Sequence, residues 1–478
     1  MTATVGEGVE ALRAVMSGPV FIPGDMDYHS ARSIWNGDID RHPAVIARCQ
    51  TQQDVVTAVG FAQREGLEIA VRGGGHGYSG LSVCEGGLVI DLSGMRDVVV
   101  DPDSRRAVVG GGARLADLDA ATQAHGLAVT GGVVGHTGVA GLTLGGGMGW
   151  LTRKLGLSID NLEAAEVVLA DGRRVRACAD SHPNLFWALR GGGGNFGVVT
   201  SFEFRLHPVG PEVHFALLFW GIDRGHDALR TARDAIPALP ENTASLLGVA
   251  MAAPPAPFVP EQHHFAPGHA LLLVGFGSAE EHTQAVAPIR AACPPLFEFI
   301  TPIPYTALQQ MFDDSAFPWG IRAYSKALYL DELSDEAINV LVEGATNKTS
   351  PMSFMPIFRL DGAFAQVGEQ DTAFGGTRTP QYAINIEAIS PDPAALAADR
   401  NWVRSVWDAL RPHAASAGGY VNFSAEQDYY RVRATYGSTK YDRLALIKTQ
   451  YDPGNVFHRN ANITPSQQRP DIPSHATG

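Results

Sequence analysis

Short β-rich runs alternate with glycine clusters over the first 207 residues. Residues 45–49 read as a strand, and residues 51–65 as a helix with Thr51 at its N-cap. Residues 67–72 read as a second strand, so the chain opens as a β-α-β unit. Residues 88–92 predict another strand. Residues 98–100 and 107–109 flank Asp-Pro-Asp-Ser, whose turn chemistry predicts a hairpin. Residues 115–125 read as a helix closed by Gly126 at its C′ position. Residues 164–169 and 174–177 flank Asp171-Gly172 and predict a second hairpin. A short helix over 183–189 and a strand over 198–206 close this half.

Beyond His207-Pro208 the texture changes. Strands are predicted over 215–220, 271–276, 321–330, 352–360 and 382–388. Helical stretches fall between them at 226–236, 279–292 and 334–344. This pattern is a sheet covered by helices, so the fold class is α+β. Residues 252–267 are rich in Pro and His and read as a surface loop. A helix is predicted over 438–450, and residues 465–478 read as a frayed tail. The sequence has no internal repeat.

Composition narrows the class. The chain has 478 residues and is 45% hydrophobic, enough to bury a core and too much for a disordered chain. Its length suits roughly two to three domains. The 53 glycines lie in clusters with no every-third-residue period, which excludes collagen. A net charge of −14 disfavours nucleic acid and anionic membranes as partners. Cys49, Cys84, Cys178 and Cys293 form no CxxC pair, so no metal site and no disulfide framework is expected. Cys84 reads as a buried small hydrophobe. There is no leader-like segment and no run of about 18 apolar residues, so a soluble cytoplasmic protein is expected.

Four glycine clusters stand out, at 73–75, 110–112, 145–147 and 191–194. Glycine lets backbone N–H groups approach a ligand with no Cβ in the way. Several such clusters between short strands point to a long phosphate-bearing ligand laid across backbone. Gly192, Gly194 and Gly197 match G-x-G-x-x-G, yet the alternating VVTSFEFRL that follows is a strand and not a helix. A Rossmann site is therefore excluded. Gly135-His136-Thr137-Gly138 lacks the G-K-[ST] of a P-loop.

VRGGGHGYSG at 71–80 resembles the pyrophosphate loop of FAD-linked oxidases of the vanillyl-alcohol-oxidase superfamily, and of the berberine-bridge-enzyme-like branch in particular. TGGVVGHTGVAGLTLGGGMGWLTRKLGLSIDNL from Thr130, LFWALRGGGGNFGVVTSFEFRLHP from Leu185 and YDPGNVFHRNANI from Tyr451 agree in order and spacing. The resemblance spans essentially the whole chain. It implies a split FAD-binding domain at 1–207 and 420–478, a substrate-binding domain inserted at 208–419, and a flavin at their interface.

The resemblance also implies residue roles. His76 stands where relatives bond the flavin covalently. A second link in many relatives comes from a Cys; Val134 occupies that position here, and Val forms no thioether, so one link through His76 is expected. Thr137 falls near the reactive edge of the flavin, where a small side chain suits access of oxygen. Arg72, Gly73, Gly74, Gly75, Gly77, Ser79, Gly138, Gly141, Gly146, Gly197 and Val199 are expected to line the cofactor site, with Asn460 and Asn462 returning over it. Tyr420 in GGYVNF resembles a tyrosine that relatives bring to the flavin and is the expected catalytic base, with Asn422 orienting it. A phenol of pKa ~10 serves as base only if its phenolate is stabilised. Tyr324 and Tyr382 are candidate pocket residues, equally readable as core. Arg359 and Arg378 suit ion pairs better than an anionic substrate.

These readings converge on an FAD-dependent oxidase that takes hydride from an alcohol or amine carbon of a small molecule and makes hydrogen peroxide, in secondary metabolism or catabolism. A dehydrogenase or an oxygenating enzyme on the same scaffold, and a flavin carrier without turnover, remain as alternatives.

Overall fold

The structure is a computed structural model that describes residues 3–416, 418–426 and 428–466, with side chains from residue 8. Most of the expected tail, residues 467–478, lies outside the described residues.

The β-α-β opening forms as its sequence directs. Thr51 accepts a hydrogen bond from Asp54 N while Asp54 accepts one from Thr51 N, so a reciprocal cap starts the helix Gln52–Glu65. Gly66, at φ 63°, ends it. The strands Val45–Arg48 and Ile69–Arg72 flank Leu88–Asp91 in parallel, within a four-stranded sheet. Both expected hairpins are present in a second, five-stranded antiparallel sheet. Val98–Asp101 pairs with Arg106–Gly110, and Leu162–Val168 pairs with Arg174–Cys178 around Gly172 at φ 83°. Val198–Arg205 runs between them.

A seven-stranded antiparallel sheet forms the middle of the chain. Its order is Phe297–Pro304, Glu212–Gly221, Pro267–Gly275, Thr243–Ala252, Met355–Leu360, Gln381–Ser390 and Arg322–Leu330. Two of these strands escape the sequence pattern. Thr243–Ala252 is central and mostly buried, so its apolar run shows no alternation. Phe297–Pro304 is an edge strand carrying Pro302 and Pro304, residues that argue against a strand anywhere else. The 18-residue helix Pro393–Leu410, capped by Asp392, was also not anticipated.

Alternation along each strand divides this sheet into two faces. Ala216, Leu247, Ile357, Tyr382, Ile384 and Ile386 pack under the helices Gly225–Ala235, Asp335–Ala345 and Pro393–Leu410. Phe215, Leu246, Phe358, Ala383 and Ile389 point the other way, into a second core shared with Trp35, Tyr78 and Met148 of the first half.

The helix Tyr429–Tyr451 returns the chain to the first half. It is broken at Gly437 (φ 68°), which is why only 438–450 shows an unbroken helical pattern. Tyr441, Leu444 and Ala445 bury against Leu185, Trp187 and Phe196. Lys448 Nζ lies 2.6 Å from Asp452 Oδ2, and both side chains are wholly buried. The same ammonium donates to Asn195 O at 2.5 Å and Phe457 O at 3.1 Å. Asp452 also accepts from Val456 N and Phe457 N. The YDPGNVF motif is thus the anchor of the returning chain. Among the described residues no helix is long and apolar enough to cross a membrane.

Candidate active site

A cavity of about 340 Å³ runs between the glycine loops and the inner face of the seven-stranded sheet. Gly73, Gly74, Gly75, Gly77, Ser79, Gly138, Gly141, Gly197 and Val199 all line it, as do His76, Thr137, Val134 and Asn460. A Cβ on Gly74 would sit 2.3 Å from Gly138 N, and one on Gly138 would sit 2.3 Å from Gly74 N. The two loops therefore touch backbone to backbone. At Gly77, Gly141 and Gly194 a Cβ would meet no atom within 4 Å. These three border the cavity, so a side chain there would fill it. A long groove floored by bare backbone, with glycines kept open where a ligand must pass, fits FAD.

Arg72 does not reach this groove. Its guanidinium is buried, 2.8 Å from Asp91 Oδ2, and donates to Ser33 O at 3.3 Å. Arg72 and Asp91 are register partners at the ends of parallel strands. Burial alone would raise the Asp91 carboxyl, but Arg72 and Arg48 hold it below its ordinary range. Arg72 fixes the strand ends from which the glycine loop departs. Gly146 is also off the wall. It turns beneath the rings of Phe374 and Tyr420, at φ 135°. Asn462 lies outside the wall as well. Arg459, which the sequence reading missed, lines the cavity and is held by Glu68 at 3.0 Å and Val83 O at 2.9 Å.

His76 projects into the cavity from a stack. Its ring lies 4.2 Å from Trp35 at 11°, and 4.9 Å from His136. Burial, helped by His136, pushes its pKa well below the ordinary imidazole value. Its Nε2 is buried with no hydrogen-bond partner. A neutral, unpartnered imidazole keeps a lone pair available for bonding.

Tyr324 and Tyr382 are not pocket residues. Both sit on the helix-covered face. Tyr324 donates to Glu426 at 2.6 Å, and Tyr382 lies under the Arg359 guanidinium. Arg359 pairs with Asp361 at 3.1 Å, and Arg378 donates two hydrogen bonds to the Asp160 carboxylate, at 2.8 and 2.9 Å. Strand parity decides where Tyr324, Tyr382 and Arg359 face, since an even shift along the strand keeps a side chain on one face.

Tyr420 lines the cavity, but its chemistry differs from the expectation. Its oxygen accepts from Gly147 N and from Asn422 Nδ2, each at 2.8 Å. Asn422 Nδ2 also donates to Leu142 O at 3.0 Å. Burial, against the pull of these donors, pushes the Tyr420 pKa up to about 12. A phenol that stays protonated at neutral pH is a donor and a poor base.

The group with basic potential is Glu387, on the inner face of strand Gln381–Ser390. Tyr78 donates to its Oε1 at 2.9 Å, and Asn385 Nδ2 donates to the same oxygen. Its Oε2 is buried with no partner. Burial pushes its pKa to about 8 against these donors. No cation neutralises it among the described residues on the cavity wall; Arg459 is engaged with Glu68. A signal existed in the sequence: a single Glu inside the apolar run AINIEAIS, where charged residues are rarely buried without purpose. Tyr78 sat inside the quoted glycine motif.

Known proteins agree with this architecture. Residues 43–177 match the FAD binding domain family, and residues 419–464 match the berberine and berberine-like family. An FAD-linked oxidoreductase of Dictyostelium discoideum is 30% identical over 98% of both chains. The crystal structure of 6-hydroxy-D-nicotine oxidase from Arthrobacter nicotinovorans superposes with a TM-score of 0.83 at 27% identity, covering 94% of this chain and 98% of that one. A glucooligosaccharide oxidase from Acremonium strictum, whose FAD is 6-S-cysteinyl and 8α-N1-histidyl, shares the fold with a TM-score of 0.81 at 24% identity, covering 96% of this chain and 99% of that one. With a backbone groove shaped for FAD and relatives along its full length, this chain belongs to the berberine-bridge-enzyme-like FAD-linked oxidoreductases.

Proposed function

We propose that this enzyme is an oxidase of small alcohols or amines, with FAD attached through His76 alone and dioxygen as the final acceptor. The observation that carries the reading is the unpaired Oε2 of Glu387, set in the same cavity as the neutral His76. Bound FAD supplies a two-electron acceptor that dioxygen can reoxidise to give hydrogen peroxide. The chain supplies the rest. Tyr78 and Asn385 fix one oxygen of Glu387, and the other, when ionised, takes the proton from substrate O–H or N–H as the neighbouring carbon gives up hydride. Tyr420, its oxygen filled by two donors, has its own proton left to orient the substrate. Thr137 and Val134, both small, border the cavity and leave room for oxygen. Val134 offers no thiol for a second link.

Acid precipitation tests the attachment. Flavin should stay with the pellet of the wild-type protein and leave the pellet of the His76→Ala variant. Photoreduction under argon followed by air tests the oxidase reading: a flavin that stays reduced, or oxygen use without matching peroxide, would refute it.

A further inference from the structure

His76 stands between two glycines: Gly75, at φ 68°, and Gly77, where a Cβ would meet no atom within 4 Å. Such a main chain does little to aim the side chain, and the terminal torsion of a histidine is broad. The ring is aimed by two others. Trp35 stacks on it at 4.2 Å and 11°, and His136 packs against it at 4.9 Å and 31°. Both of these rings hang from one oxygen. Trp35 Nε1 donates to Phe317 O at 3.0 Å, and His136 Nε2 donates to the same atom at 2.9 Å. A carbonyl only accepts, so the His136 proton sits on Nε2, and its buried Nδ1 has no partner. Phe317 belongs to residues 311–320, a strap leading from the helix Tyr305–Gln309 to the strand Arg322–Leu330. The strap is tied beside each ring. Asp313 Oδ1 accepts from Gly135 N at 2.6 Å, next to His136, and Gly320 N donates to Trp35 O at 2.9 Å. A Cβ on Gly37 would sit 2.0 Å from Gly320 O, so main chain meets main chain there.

Resting on the His76 attachment proposed above, we propose that Trp35 and His136, hung from Phe317 O, are positioning residues for that bond: they hold the His76 imidazole still while it joins the flavin. The joining breaks a C–H bond of a flavin methyl group and the imidazole N–H bond, and forms one C–N bond. Two protons pass to water. Two electrons stay on the flavin until dioxygen takes them, with two protons, as hydrogen peroxide. What the chain supplies is geometry, and misplacing a reacting group by about 1 Å can cost about 10²-fold in rate. Neither Asn385 Oδ1 nor Glu387 Oε2, the unpartnered buried atoms of the sheet end, is needed for it. Phe317 comes from the inserted half of the chain and the glycine loop from the first half. The attachment site is therefore complete only once the two halves have packed together.

Acid precipitation of the purified, FAD-loaded full-length protein tests this, with total flavin read from absorbance beforehand. His136→Ala should carry as much FAD as wild type, with less than about a tenth of it retained in the acid pellet. His136→Phe restores a flat ring without any ring nitrogen, while Trp35 still holds Phe317 O. Its covalent fraction should return to within about threefold of wild type. A role confined to stability would lower total flavin and leave the covalent share of what is bound unchanged, and that result overturns the inference. So does full attachment in His136→Ala. If His136→Ala purifies without flavin, His136→Phe decides: failure to attach its FAD shows that a flat ring is not what His76 requires, and overturns the inference as well. Glu387→Gln should attach its flavin as wild type does, and attachment lost there would move the role to the sheet end. Wild-type flavin that leaves the pellet refutes the His76 link itself. A link kept by both wild type and His136→Ala refutes only this inference.

Discussion

At the cofactor end of the cavity the wall is backbone: Gly74 and Gly138 press main chain to main chain, and Gly77, Gly141 and Gly194 hold side-chain volume out. At the sheet end the wall is side chain: Phe354, Phe358 and Phe423 close the space, and one carboxyl, Glu387, breaks the apolar surface. The first end recognises what any bearer of phosphates and a ribityl chain presents, so its chemistry is carried by residues that have no side chain. The second is the wall that a small-molecule substrate would meet under the proposed function, and it is built of side chains from distant strands. Two buried carboxylates show the same contrast. Asp452 is matched by Lys448 and by two backbone N–H groups, and its work is to hold the fold. Glu387 has neutral donors on one oxygen and nothing on the other, and is poised to exchange a proton.

The largest effects should come from filling the backbone end. Gly74→Val places a branched side chain on Gly138 N, and should abolish both stable folding and flavin binding. Gly141→Leu has room in the protein but not alongside FAD. It should fold normally by circular dichroism and purify without flavin absorbance. Retention of a full complement of flavin by Gly141→Leu would break the account of this end.

Glu387→Gln should lower kcat/KM by about 10²–10⁴-fold while flavin content stays unchanged. Its counterpart is Lys448→Met, which leaves Asp452 buried and uncompensated. That variant should lose about 3–5 kcal/mol of stability in urea, with the reaction itself spared wherever the protein remains folded. If Glu387→Gln lost stability and Lys448→Met lost turnover, the two roles would have been assigned in reverse.

The raised pKa of Glu387 sharpens the contrast through pH. The base form grows as pH rises, so kcat/KM should climb and level above about 8, and this limb should vanish in Glu387→Gln. The stability effect has the opposite slope. Between 4.5 and about 8 the folded protein holds a proton here that the unfolded chain has lost. Wild-type stability from this group is therefore full at low pH and declines across that window. Urea midpoints of Glu387→Gln should show a shallower decline. The smallest effects should be those of Tyr324→Phe and Tyr382→Phe. These residues lie behind the sheet, and KM should be unchanged in both.

The backbone end was legible because glycine clusters are local: a contiguous motif such as VRGGGHGYSG is a complete statement of where a chain can pass without side chains. The cap at Thr51, both hairpins and the helix Pro183–Leu189 were legible for the same reason. The sheet end was not. Tyr324 and Tyr382 looked like pocket residues because they lie on the right strands, but facing depends on register, and a one-residue shift reverses it. Arg72 looked like part of the cofactor wall, but Asp91, its partner across the sheet, holds it away.

By itself, then, the sequence determined the α+β class, the FAD groove, the histidine that enters it and the absence of a cysteine at residue 134, since each depends on residues close together along the chain. Only the tertiary structure decided which acid or phenol could exchange a proton. Tyr420 is held protonated by burial despite Gly147 and Asn422, and Glu387 is raised by burial despite Tyr78 and Asn385. A pKa is set by what surrounds a group in space, and those neighbours come from strands and loops hundreds of residues apart.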